Sequence, residues 1–140
     1  MKRNTALRLA AGTAATALVF TLGVAVGQGT APTENKGLKV SPPTTLDLGQ
    51  EVEGVDGRQL RMRVVTLEPG GIVGVHSHKG RPAVAYVVQG TLTEHREAGG
   101  GDHERHQGET WTEGKDVVHW AENKGSEPAV IIAVDVFKPQ

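Results

Sequence analysis

Residues 70–90 read GGIVGVHSHKGRPAVAYVVQG, and within them His76 and His78 stand two positions apart at the end of a segment rich in Val and Ile. Side chains at positions i and i+2 of a β-strand point to the same face of the sheet, so both imidazoles can point at one ion. Neutral imidazole is the commonest metal-ligating side chain, and two on one face make half of a site. The stretch therefore predicts a strand that carries half of a metal centre.

A third histidine, His119, lies in a second predicted strand over residues 117–121. If sheet pairing places it beside His76 and His78, three nitrogen donors face one ion, and the remaining positions stay open to water, oxygen or substrate. Two ordinary structures are the alternatives. In these, His76 and His78 are hydrogen-bonded imidazoles on a solvated strand edge, and His119 is a core histidine bonded to a backbone carbonyl.

From residue 44 onward the sequence predicts strands, because short segments rich in Val, Ile, Leu and Thr alternate with Gly, Pro and Asp. The predicted strands cover residues 59–64, 72–76, 83–89, 91–96, 109–112, 117–121 and 129–137. The first of them alternates polar and apolar residues, which is typical of a strand with one solvated face. Regular short strands with glycine corners predict an all-β fold, either a sandwich or a barrel.

The spacing of glycines and histidines resembles the two motifs of the cupin superfamily. The matching positions are Gly70, His76, His78 and Gly90 for the first motif, and Gly108, His119 and Asn123 for the second. The resemblance covers residues 70–123 and is closest to small single-domain cupins of the type-2 kind. It implies a small antiparallel β-barrel of the jelly-roll type, an interior divalent metal held by His76, His78 and His119, and often a homodimer.

The chain departs from the first motif at Ala83, where cupins carry the glutamate that usually completes the metal site. Three neutral imidazoles leave the ion its full positive charge and one more open position, as in the three-histidine iron centres of cupins related to thiol dioxygenases. The candidates for a replacement donor are Gln89, Glu94 and His95. Asp116, where the second motif has glycine, is a candidate acceptor for the far ring nitrogen of His119.

The resemblance leaves two functions open, and a metal-free barrel in which the motif residues are structural is a third possibility. In the first, the protein is an exported metal-dependent enzyme, such as a dioxygenase, isomerase or lyase, that acts on a small molecule with Fe, Mn, Zn or Ni. Glu94 and His95 are then the candidates for the general base. In the second, it is a non-catalytic cupin that holds a metal or a small ligand in the cell envelope. Ala83 and Ala85 share one side of their strand, which favours a roomy apolar pocket if that side faces inward.

Residues 1–31 predict a secretory signal peptide and hence a periplasmic or secreted protein. Lys2, Arg3 and Arg8 precede a run without charge over residues 9–26, and small residues follow it. An uncleaved membrane anchor is the alternative, because this run is nearly long enough to span a bilayer. Contact with a membrane would then be confined to this segment.

Length and composition limit the remaining possibilities. A chain of 140 residues suits one domain, which we predict at residues 44–138, preceded by a flexible lead-in with three prolines at 32–43. The net charge of −1 argues against a nucleic-acid partner. Because the chain has no cysteine, disulfide scaffolds, thiolate zinc sites, iron–sulfur clusters and cysteine nucleophiles are excluded.

Overall fold

The computed structural model describes residues 30–97 and 100–139, so all but the last two residues of the expected signal peptide lie outside the described part. Described there are one short 3-10 helix, Leu48–Gln50, and the strands β1 Lys36–Val40, β2 Thr44–Asp47, β3 Gln59–Ser77, β4 Ala83–Gln89, β5 Thr91–Arg96, β6 Gly101–His106, β7 Thr110–Glu113, β8 Val118–Glu122 and β9 Ala129–Phe137. Within these residues, no helix is long and apolar enough to cross a membrane.

The strands form one antiparallel sheet in the order β6-β5-β8-β3-β9-β4-β7, and β1 and β2 also pair with β3. The sheet curls into a nearly closed barrel, so the predicted all-β antiparallel barrel is confirmed. Strand β3 organises it, because residues 59–67 pair with β9 and residues 72–77 pair with β8. Between these two halves Gly70 has a φ of 69°, which a residue with a side chain rarely adopts.

The structure differs from the predicted strands at four places, of which the first is strand β2, at residues 44–47 where we predicted none. The two segments 59–64 and 72–76 are parts of the single strand β3. Strand β6 is an addition, and its polar sequence GDHERH carries no apolar alternation. Strand β1 lies inside the segment 32–43 that we predicted as a flexible lead-in, and it pairs with β3 from Lys36↔Ile72 to Val40↔Val65. A single apolar residue, Leu38, packs against the core there, which is too little for a periodic signal.

The first half of β3 has its polar side inside the barrel, which is opposite to an ordinary strand with a solvated polar face. Leu60, Met62 and Val64 are exposed at 36–44%. Arg61 and Arg63 point inward instead and form ion pairs with the fully buried Asp135 of β9. The alternation therefore predicted the strand, but it did not predict which face meets water.

The interior of the barrel is divided between an apolar cluster and a group of ionisable side chains. The apolar cluster comprises Leu67, Ala85, Val87, Leu92, Ala121, Ala129 and Ile131. The buried ionisable residues are His78, Glu94, Glu113, His119 and Asp135. Buried charges and imidazoles are costly unless they are paired, so their concentration in one barrel makes it the candidate functional site.

Candidate metal centre

The three predicted site histidines meet inside the barrel. Strands β3 and β8 pair with His76 directly opposite His119, and His78 follows just beyond the end of β3. The Nε2 atom of His78 lies 3.2 Å from that of His76 and 3.0 Å from that of His119, and the third separation is 3.1 Å. Sheet pairing thus brings together imidazoles that are more than forty positions apart in the sequence.

Hydrogen bonds on the far side of each ring fix its tautomer. Nδ1 of His76 donates to the carbonyl of Gly74 at 2.9 Å, and Nδ1 of His78 donates to the carbonyl of Arg81 at 3.2 Å. Nδ1 of His119 donates to the Glu94 carboxylate at 2.8 Å. Because the Nδ1 atoms donate to these acceptors, the three Nε2 atoms face one another with their lone pairs free for an ion.

The charge state of the rings agrees with this arrangement. Burial lowers the pKa of His76 and of His78 to about 4, so both rings are neutral at pH 7. Three converging lone pairs repel one another unless a cation lies among them. A cation with nitrogen-preferring chemistry is therefore the natural occupant of this point.

The spacing of the nitrogens fits a transition metal. Two nitrogens held at ~2.1 Å and a right angle are about 3.0 Å apart, whereas a tetrahedral angle separates them by about 3.4 Å. The observed separations of 3.0, 3.1 and 3.2 Å are nearer the first value. The three histidines thus suit one face of an octahedral ion, whose opposite face can accept other donors.

Glu113 is a candidate fourth donor, at the point where the motif glutamate is missing. Strands β4 and β7 pair with Ala83 directly opposite Glu113, and paired residues point to the same face. Glu113 Oε2 lies 3.2 Å from Nε2 of His78, and Oε1 lies 3.6 Å from Nε2 of His119. The indole nitrogen of Trp111 donates to Oε1 at 2.9 Å and fixes the carboxylate. The small side chain at 83 leaves room for a carboxylate from the neighbouring strand.

Glu94 lies behind His119 and is not one of the donors that face the bare nitrogens. Its carboxylate accepts hydrogen bonds from His119, from Arg96 at 2.8 Å and from Arg105 at 2.6 Å. Burial alone would raise the pKa of Glu94, but hydrogen bonds from His119, Arg105 and Arg96 outweigh it and lower the pKa to about 2. With both oxygens engaged, Glu94 orients His119 and does not act as a free base.

The other residues proposed for the centre lie away from it. His95 bridges Asp102 at 2.6 Å and Glu122 at 2.8 Å, and it stacks on Trp120. Asp116 is exposed and pairs with Lys115, so the acceptor behind His119 is Glu94 and the expectation for Asp116 was wrong. Gln89 is exposed at the end of β4.

Glu113 was not among the site residues predicted from the sequence, for two reasons. The predicted strand ended at residue 112, one position before it, and only the pairing register places it opposite Ala83. One signal was present, because Trp111 and Glu113 are two residues apart and so share a face.

The histidines and Glu113 border a cavity of about 410 Å³. Most of its wall is apolar and includes Leu38, Val65, Leu92 and Ile131. Ala83 and Ala85 are both buried, as expected if their shared side of β4 faces the interior of the barrel. Arg63 and Arg81 also line the cavity, as do the polar residues Thr33 and Asn35. The arrangement can hold a small molecule next to an ion that keeps open coordination positions.

A barrel with this centre defines the cupin class, and comparison with known proteins agrees. Residues 63–135 match the cupin domain family, so the chain belongs to it. No curated protein sequence matches the chain.

Solved structures of several proteins share the fold, and three of them illustrate the similarity. The TT1209 protein of Thermus thermophilus is 23% identical, with a TM-score of 0.52 over 60% of this chain and 77% of its own. The Schizosaccharomyces pombe Cnp3 cupin domain is 14% identical, with a TM-score of 0.56 over 76% of this chain and 65% of its own. An oxalate oxidase in complex with the substrate analogue glycolate is 25% identical, with a TM-score of 0.52 over 71% of this chain and 51% of its own.

Proposed function

We propose that this protein is a metal-dependent cupin enzyme that acts on a small molecule inside its barrel. A divalent transition metal would be held by His76, His78, His119 and Glu113. The observation that carries the proposal is the convergence of three bare Nε2 atoms and one carboxylate at the wall of a largely apolar cavity. Such a donor set places four electron-rich atoms together in the interior, where a cation would offset their mutual repulsion.

The donors limit the ion to a small group. Imidazole and carboxylate together suit Fe(II), Mn(II), Zn(II) and Ni(II). Because Glu113 adds an oxygen donor, the harder ions of this group fit the site better than they would fit three imidazoles alone. When bound, the ion supplies Lewis acidity or a position for dioxygen. Glu113 lowers the net charge of the centre, Trp111 holds Glu113 in place, and Glu94 keeps His119 in the ligating tautomer.

The residues of the cavity favour an oxidation over a base-driven reaction. Among the described residues that line the cavity, Glu113 is the one carboxylate, and it already faces His78 and Trp111. The earlier candidates for a general base, Glu94 and His95, are engaged elsewhere. A reaction that needs a separate protein base therefore has none here. We accordingly place dioxygenase chemistry on a chelating substrate ahead of isomerase or lyase chemistry.

Metal analysis of protein purified without chelators tests the centre. We expect about one equivalent of a transition metal in the wild type and a loss of it in both His76→Ala and His119→Ala. His103→Ala is the matched control, because His103 is bonded to the carbonyl of Gly100 outside the centre and should keep the metal. Absence of metal in the wild type, after reconstitution with each of the four ions, would refute the proposal.

A non-catalytic cupin that stores or senses a metal or small ligand is the second candidate. The lack of a free base among the described cavity residues favours it. The two functions differ in oxygen uptake or substrate turnover by the metal-loaded protein. Stable occupancy without turnover across a broad panel of small molecules would decide for the second.

We further propose that the protein is exported to the periplasm or secreted, as the basic, apolar and small-residue order of its first 31 residues indicates. N-terminal sequencing of the protein recovered from the exported fraction tests this. A start near residue 28 or 32 supports cleavage, and a start at residue 1 or 2 supports the anchor.

We also propose that two copies associate through an uncharged sheet face. This face consists of the outward residues Leu60, Met62 and Val64 of β3, Ile132, Val134 and Val136 of β9, and Val84, Tyr86 and Val88 of β4. The members from β3 and β4 are 36–52% exposed. A soluble monomer rarely exposes such a continuous apolar area, and a second copy can cover it without burying a charge.

A further inference from the structure

Two arginines share the cavity with the histidines, and the centre described above does not use them. Arg63 and Arg81 both line the cavity, and both contact the buried Asp135 at 3.2 Å. Arg61 contacts the same carboxylate at 2.9 and 2.7 Å, but it does not line the cavity. Three guanidinium groups against one carboxylate leave this cluster a net charge of +2.

The hydrogen-bonding capacity of Arg63 is not exhausted by Asp135. One terminal nitrogen of Arg63 reaches Asp135, while its Nε atom is buried and has no partner among the described residues. Burial, together with the nearby Arg61, also lowers the pKa of Arg63 from its ordinary value. Arg63 is therefore a desolvated cation that shares one carboxylate with two other guanidinium groups, and an anion in the cavity would pair with its remaining positive charge.

The rest of the cavity selects against strongly hydrated anions. Apart from the arginines and the metal centre, its wall is formed largely by apolar side chains such as Leu38, Val65, Leu92 and Ile131. A phosphate or sulfate would lose its hydration there without enough donors to replace it. A single carboxylate on an apolar body matches both parts of the wall.

We propose that the cavity binds a small monocarboxylate, with its carboxylate on Arg63 and Arg81 and its apolar body along the wall beside the metal centre. This inference rests on the proposed function, because it names the substrate class of the same cavity. Planar carboxylates suit guanidinium groups, which present two parallel N–H donors. The cavity of about 410 Å³ has room for a ring or a short hydrocarbon chain.

Calorimetric titration of the metal-free full chain with phenylacetate tests the proposal without requiring a metal. We expect Arg63→Met and Arg81→Met each to weaken binding about tenfold or more. Arg61→Met is the matched control, because it removes an arginine from the same aspartate without touching the cavity, and we expect nearly unchanged affinity. Phenylacetamide, which has the same shape and no charge, should bind about tenfold more weakly or worse than phenylacetate.

A second measurement separates this inference from the proposed metal centre. In Co²⁺-loaded protein, phenylacetate should shift the visible absorption of the cobalt, and Arg63→Lys, which keeps the charge, should retain part of the shift. If cobalt binds but phenylacetate neither shifts the spectrum nor gives heat, the inference fails while the metal proposal stands. Equal binding of phenylacetamide overturns it, and so does an equal loss in Arg61→Met, since Arg61 contacts Asp135 but does not line the cavity.

Discussion

The carboxylate of Glu113 offers the sharpest test of the proposed centre. Glu113→Gln keeps the size of the side chain and one oxygen for the Trp111 N–H, but it removes the charge that lies 3.2 Å from His78 Nε2. Removing a group that only supports a metal ligand costs about 10–100-fold in affinity, so losing a charged donor should cost about 100-fold or more, or about 2.7 kcal/mol.

This loss can be read as a change in thermal stability. At a metal concentration of about 100 times the wild-type Kd, binding stabilises the native state by about 2.7 kcal/mol, whereas a 100-fold weaker variant gains only about 0.4 kcal/mol. For a domain of this size, 1 kcal/mol corresponds to a Tm change of about 4–8 °C. Metal should therefore raise the Tm of the wild type by about 10 °C or more and that of Glu113→Gln by about 2–3 °C.

Calorimetric unfolding with and without metal measures both shifts, and two further variants complete the test. Glu104→Gln removes an exposed glutamate and should behave as the wild type. Ala83→Glu combined with Glu113→Ala moves the carboxylate to position 83, where cupins carry the motif glutamate. Because positions 83 and 113 are paired, we expect this double variant to restore most of the metal-induced Tm shift. A full metal-induced shift in Glu113→Gln would show that the carboxylate is not a ligand and would refute the reasoning.

Three further predictions follow from the site and the surface. Because burial lowers the pKa of His76 and His78 to about 4, the unfolded state binds more protons between that pH and about 6.5, and the metal-free protein should lose stability as pH falls through this range. Urea unfolding at pH 7 and pH 5 checks this, and equal stabilities contradict it. Trp111→Phe should weaken metal binding about tenfold by freeing the metal-facing carboxylate, as a competition titration with a chelator would measure. Met62→Glu should convert the dimer to a monomer in light scattering, whereas Val52→Glu, in a loop outside the uncharged face, should not; a wild-type monomer would contradict the proposed assembly.

The parts of the structure that local sequence patterns determine were the parts that could be predicted. The turn glycines and the alternation of apolar residues gave β4, β5 and β9 with the bounds that the structure has. The grouping of His76 and His78 with His119 followed from the matched motif spacings. These features depend on short stretches of chain, or on two stretches whose relation the motifs already define.

What could not be predicted depends on pairing between distant strands. The position of Glu113 follows from the register of β7 on β4, which no local pattern specifies. The inward direction of Arg61 and Arg63 follows from a single buried partner, Asp135, which lies more than seventy residues away. Polar alternation on a strand indicates two unlike faces, but the face with the arginines becomes the inner one only because the aspartate is there to pair with it.

The buried charges of the barrel leave positive charge on the cavity. Glu94 is fully engaged by Arg96, Arg105 and His119, so its negative charge is neutralised behind the centre. Glu113 is the acid that faces the bare nitrogens, and one carboxylate cannot neutralise a divalent ion. The arginines around Asp135 add further positive charge on the same cavity. An anion that enters this space would therefore meet positive charge from Arg63 and Arg81 on one side and, once the centre is loaded, from the metal ion on the other.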